Sequence, residues 1–159
     1  MTSASLRRPT TTLTVVLAGF IVFVGVRFLV DPQGAAAGFG INGPHGAGSG
    51  YYDIKGVRDI TSGLVVLALL AAGQRRALGW ALLAEAFTPF GDATIVLTHG
   101  GSLATALGIH ALTATVVAFT GVLLLRETRP SAAVGTPGAA AVTAVTAVTA
   151  VAAEPANAG

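Results

Sequence analysis

Of 159 residues, 53% are hydrophobic and only 10% charged, and the mean hydropathy is +0.75. Ordinary soluble domains carry roughly 25% charged residues, so this chain cannot build a water-facing surface of the usual kind and is expected to live in a membrane. Cysteine is absent, which excludes disulfides and thiolate metal sites, and the formal charge of +2 sits almost wholly on arginines at segment ends, so no nucleic-acid-binding patch is expected.

Four stretches approach the ~20 apolar residues that a spanning helix needs, and the strict alternation of a membrane barrel strand is missing. The expected fold is all-α, a four-helix transmembrane bundle with a disordered C-terminal tail. Residues 1–12 form a polar cytoplasmic N-terminus, 13–126 the four-span membrane domain and 127–159 a low-complexity cytoplasmic tail.

In chain order, Arg7 and Arg8 precede an apolar run from Leu13 to Val30, which is how a first span begins on the cytoplasmic side. A cleaved signal is the competing reading, because Ala35-Ala36-Ala37 offers an Ala-x-Ala pattern and Arg7-Arg8 a faint twin-arginine likeness. The run is too long for a signal core, and Arg27-Asp31-Pro32 intervenes. From Asp31 to Asp53 the chain is dense in glycine and reads as a loop, with Tyr51 and Tyr52 at interfacial depth. A second helix is expected from about Ile54 to Ala72, opening with Lys55, Arg58 and Asp59. Gln74-Arg75-Arg76 turns into a third, about Ala77 to Thr98, and His99 to Ser102 turns into a fourth, about Leu103 to Leu125. Beyond Pro130 the Ala-Val-Thr repeats read as low complexity.

Arg7, Arg8, Arg75, Arg76, Arg126 and Arg129 all fall on one side, whereas the loop 31–53 and the turn 99–102 contain no lysine or arginine. The positive-inside rule then predicts a multi-pass protein of the cell membrane with both termini cytoplasmic.

Within that frame the remaining ionisable groups cluster by depth. Arg27 ends the first helix and Lys55, Arg58 and Asp59 open the second, while Asp92 lies about 9 Å and His110 about 10 Å in from the outer helix ends at 1.5 Å per residue. Glu85 is deeper, on the same face of its helix as Asp92, with Thr88 and Pro89 between them. An ionisable group at a helix centre costs ~2.5–3.5 kcal/mol on the insertion scale, so these side chains are expected to face one another. The expected pairs are Arg58 with Asp92, and Arg27 or Lys55 with Asp59 or Asp31. Gly56 and Gly63, with Ala81, Ala84 and Gly91, would let the helices approach closely around them. Pro89 should kink the third helix and free the carbonyl of Glu85.

Each group also has a plainer reading. Arg58, Asp59 and Asp92 could be an ion-pair clasp, Glu85 a hydrogen-bonded acid on a helix interface, and His110 a packing histidine; His45 and His99 belong to loops. A haem held by His99 and His110 is disfavoured because they lie at unequal depth, and neither a metal nor a cofactor is expected.

Lys55-Gly56-Val57-Arg58-Asp59, Pro89-Phe90-Gly91-Asp92, Arg27-Phe28 with Pro32, and His110 resemble a bacterial and fungal family of four-helix integral membrane proteins, domain of unknown function 4267. The match runs from about Val15 to Arg126, and more loosely the chain looks like the DoxX-type four-helix membrane group. The resemblance implies the four-span fold and carries no activity; the DoxX likeness hints at quinone or redox-partner work, without cysteine to serve a thiol version.

The function expected from these residues is a polar pocket in the outer-leaflet half, built from Arg27, Lys55, Arg58, Asp59, Asp92 and His110, that binds a small lipophilic or amphiphilic molecule or a partner subunit. One alternative is a membrane enzyme using Asp92, His110 and Glu85 as acid and base on a lipophilic substrate. The other is a small proton-coupled transporter working through Glu85 or Asp92, as a homodimer because four helices make a thin pathway.

Overall fold

Thr11 and Thr14 return their hydroxyls to carbonyls one turn back, at 2.7 Å, so polar residues at the start of the first helix are satisfied by that helix itself. Helix α1 accordingly runs over Ser3–Val30, beginning ten residues ahead of the apolar run. The computed structural model describes residues 3–41 and 46–129, and every regular element among them is helical. His45, Asn42-Gly43-Pro44 and the repetitive tail from Pro130 fall outside the described residues.

The stretch after α1 is not simply a loop. Asp31 accepts a hydrogen bond from the Gly34 N–H at 3.0 Å, Pro32 occupies the first turn, and Gly40, at φ 101°, closes helix α2 (Pro32–Phe39) in the left-handed conformation. These are the ordinary start and stop devices of a helix. Ala35 and Ala36 are buried in it against Phe28 and Tyr52.

A 3₁₀ turn (Gly46–Ser49) leads into α3 (Gly50–Ala71). Gly73, at φ 69°, makes the turn into α4 (Arg75–Glu85), and α5 (Phe87–Thr98) continues beyond a break at Ala86. Pro89 supplies the reason for the break. It has no N–H for the Glu85 carbonyl, and the next bond, Phe90 N–H to Ala86 O, is stretched to 3.4 Å. After the turn at Gly100, Ser102 caps the single turn α6 (Leu103–Thr105), and a π-helical turn (Ala106–Ala111) precedes α7 (Leu112–Glu127).

Glycines set the closest approaches. A methyl group at Gly25 would lie 2.6 Å from the Gly56 carbonyl, and one at Gly56 would lie 2.8 Å from the Gly25 carbonyl, so α1 and α3 touch backbone to backbone there. Gly63 fits against Val22 and Ala18 on the same seam. The second seam joins α4 to α7 through Gly79 and Gly121. The expected contact at Gly91 does not occur, since its vacant side-chain position faces open space, and Ala84 is exposed and Ala81 half-buried. A shared apolar cluster draws Ala18 from α1, Val66 from α3, Leu78 and Leu82 from α4 and Leu124 from α7.

Among the described residues three helical stretches are long and apolar enough to cross a membrane: Leu6–Val30, Arg75–Thr98 and Leu103–Glu127. Their outward faces are greasy, with Phe87 80% and Val30 78% exposed. The 22-residue α3 is comparable in length but carries Asp53, Lys55, Arg58 and Asp59 in its first half.

Candidate functional site

The kinked α5 packs on α4, α7 and the π-helical turn, while α1 packs along α3. Between these two groups lies a cavity of about 1010 Å³, with α2 contributing Gly34, Ala35, Gly38 and Phe39 to its wall. Arg27, Lys55, Arg58, Asp59, Glu85, Asp92 and His110 all line it, together with apolar side chains of α1 such as Phe20, Ile21 and Val24. Pro89 is on the wall as well, so the residue that bends α5 borders the space that the bend leaves.

Local geometry decides the ion pairs. Lys55 and Asp59 are one turn apart on α3, and Lys55 Nζ reaches Asp59 Oδ2 at 2.8 Å. The same ammonium stands 4.9 Å from the centroid of Phe28 and 4.8 Å from that of Phe39, so two ring faces and one carboxylate hold it. Arg27 and Asp31 make a looser, exposed pair at 3.4 Å. The expected pair of Arg58 with Asp92 does not form. Neighbours along a helix do not share a face, so Arg58 projects from an exposed position while adjacent Asp59 is buried. Among the described residues neither Arg58 nor Asp92 has a hydrogen-bond or ion-pair partner. Lys55, His110 and Asp59 are within Coulombic range of the half-buried Asp92 carboxylate.

His110 is 5% exposed and its Nε2 lies 2.8 Å from the Phe39 carbonyl. A carbonyl only accepts, so Nε2 carries a proton and donates it. The Phe39 ring packs at 4.3 Å, centroid to centroid, on the imidazole. The π-helical turn places this histidine; no feature of the sequence reading anticipated that turn. Glu85, deeper along α4, accepts a hydrogen bond from Ser62 of α3 at 3.3 Å. His99 is exposed and folds back on the Ile95 carbonyl. Among the described residues no three His, Asp or Glu side chains are grouped so as to hold a metal ion.

A second polar cluster, absent from the sequence reading, occupies the opposite end. The guanidinium of Arg75, at the start of α4, grips Glu127 at the end of α7 through two hydrogen bonds, at 2.7 and 2.9 Å. Thr10 of α1 donates to Glu127 at 2.8 Å and accepts from Arg75 at 2.6 Å, so three helices share one buried carboxylate. Arg7 adds a longer contact at 3.4 Å. The available signal was the lone acid inside the otherwise basic flank Arg126-Glu127-Thr128-Arg129. Tyr52, expected at interfacial depth, stacks its ring on Phe28, and its buried hydroxyl has no partner among the described residues.

Long apolar helices with greasy outer faces and inward ionisable groups define a multi-pass membrane protein. The chain belongs to the family described as Domain of unknown function (DUF4267), whose family model matches residues 18–124. No curated protein and no solved structure matches it.

Proposed function

We propose that this protein is a four-span membrane protein whose cavity binds a small amphiphile. In this reading α3 crosses as the fourth helix, its charges facing the cavity rather than lipid, and arginine placement sets the Arg75 end in the cytoplasm and the cavity in the outer-leaflet half of the cell membrane. The observation that carries the proposal is the lining of a cavity of about 1010 Å³: aromatic and aliphatic side chains of α1 together with Arg58 of α3 and Asp92 of α5, neither of which has a hydrogen-bond or ion-pair partner among the described residues. An amphiphile supplies groups for both. The acid and base alternative has less support, because the Nε2 of His110 is committed to a backbone carbonyl. Nor does the looser likeness to DoxX-type proteins add a redox role.

Native mass spectrometry of the full chain released from detergent micelles tests this. Wild type should retain a lipid-sized adduct, and Thr113→Trp, which fills the cavity from α7, should lose it while keeping its melting temperature. Equal adduct on both would place the lipid outside the cavity and refute the reading.

A further inference from the structure

Only some of the charges around the cavity cancel in pairs. Lys55 is neutralised by Asp59 at 2.8 Å and Arg27 by Asp31 at 3.4 Å. Glu85, also without a counter-charge, lies deeper and accepts a hydrogen bond from the Ser62 hydroxyl. Nearer the Lys55–Asp59 pair, that leaves one guanidinium, Arg58 on α3, and one carboxylate, Asp92 on α5, both lining the cavity and not paired with each other. A purely anionic headgroup would satisfy Arg58 and set a like charge against Asp92; a purely cationic one would do the reverse. Only a headgroup carrying both signs satisfies Arg58 and Asp92 together.

Resting on the amphiphile-binding reading, we infer that the ligand is a zwitterionic lipid of the phosphoethanolamine type. Its phosphodiester lies against the planar fork of Arg58, which suits phosphate oxygens, and its primary ammonium donates to the Asp92 carboxylate. The acyl chains run along Phe20 and Ile21 of α1. A quaternary ammonium keeps the charge but has no N–H to donate, so a phosphocholine headgroup makes only half of the contact at Asp92.

The test is a titration of the full chain in detergent with phosphatidylethanolamine, phosphatidylcholine and phosphatidylglycerol of identical acyl chains, read as bound fraction by native mass spectrometry. The ethanolamine lipid should bind about tenfold more tightly than either of the others, the worth of one charge-assisted hydrogen bond. Asp92→Asn should bring ethanolamine and choline lipids to the same affinity, and Arg58→Gln, at an exposed and unpaired position, should weaken all three. Binding of the glycerol lipid at least as tight as the ethanolamine lipid, or an ethanolamine preference that survives Asp92→Asn, overturns the headgroup assignment and leaves the cavity reading standing. Binding of all three that is indifferent to Thr113→Trp overturns both.

Discussion

The two ends of the molecule treat buried charge in opposite ways. At the Arg75 end one carboxylate, Glu127, is surrounded by donors from α1 and α4, its side chain is 3% exposed, and its polar partners are all supplied by the chain itself. At the His110 end there are more charges, but the local Lys55–Asp59 pair consumes only one of each sign, and Arg58 and Asp92 are left facing a cavity. A closed network of this kind ties helices together, whereas open valences in a membrane protein are places for something else to bind. The difference arises from one backbone event. Below Ala86, α4 packs on α7 through Gly79 and Gly121; beyond it Pro89 bends the chain, and the space between α5 and the α1–α3 pair is not filled.

Substitutions can break this contrast, and the largest effect should come from the closed end. Glu127→Ala leaves the largely covered Arg75 guanidinium, 12% exposed, without its counter-charge and should cost about 3 kcal/mol, seen as lost folded yield and a lowered melting temperature in detergent. Gly79→Val comes next. Its side chain would meet Leu125 at 2.9 Å and the Gly121 carbonyl at 3.1 Å, and prising α4 from α7 should cost about 1–3 kcal/mol by the same measurement. Asp92→Asn, at the open end, should change stability by no more than about 0.5 kcal/mol, because no internal partner is lost, while altering ligand retention. If it unfolded the protein as readily as Glu127→Ala, the carboxylate would be structural and the contrast would fail. The smallest effect is expected at Gly91, whose side-chain position is empty. Gly91→Ala should be neutral or stabilising by up to about 1 kcal/mol, a gain of helix propensity alone visible as a slightly raised melting temperature.

Much of the helical plan was legible because apolar length and arginine placement are properties of the string itself. The Gly56–Gly63 seam was too, since glycines a heptad apart share a helix face, and so was the disturbance at Pro89, a direct consequence of the missing N–H. Helix α2 was written in the sequence as well, in Asp31-Pro32 and Gly40, but a high glycine content masked it. What sequence could not decide was which charge meets which. Depth along helices placed Arg58 and Asp92 at similar levels, yet the two do not pair, whereas Lys55 with Asp59 and Arg27 with Asp31, four residues apart in sequence, do. The Glu127 network depends on the N-terminal helix starting at Ser3, ten residues ahead of the apolar run, and nothing in hydropathy asks for that. The π-helical turn that brings His110 to the Phe39 carbonyl has no reliable local signature either.

Because the chain contains no cysteine, single thiols can be placed in it without background. The central claim is that the space lined by Arg58, Asp92 and Glu85 is polar enough to admit water and is occupied by an amphiphile, and the most direct measurement is the labelling rate of three such thiols, in intact membranes, by a small water-soluble methanethiosulfonate. Ser62→Cys, on the cavity wall, should react, and added phosphatidylethanolamine should slow it; Val65→Cys on the exposed apolar face of α3 and Thr14→Cys in the fully buried interior should both be inert. A Ser62→Cys protein as unreactive as the other two, or one whose rate is indifferent to lipid, would contradict the account.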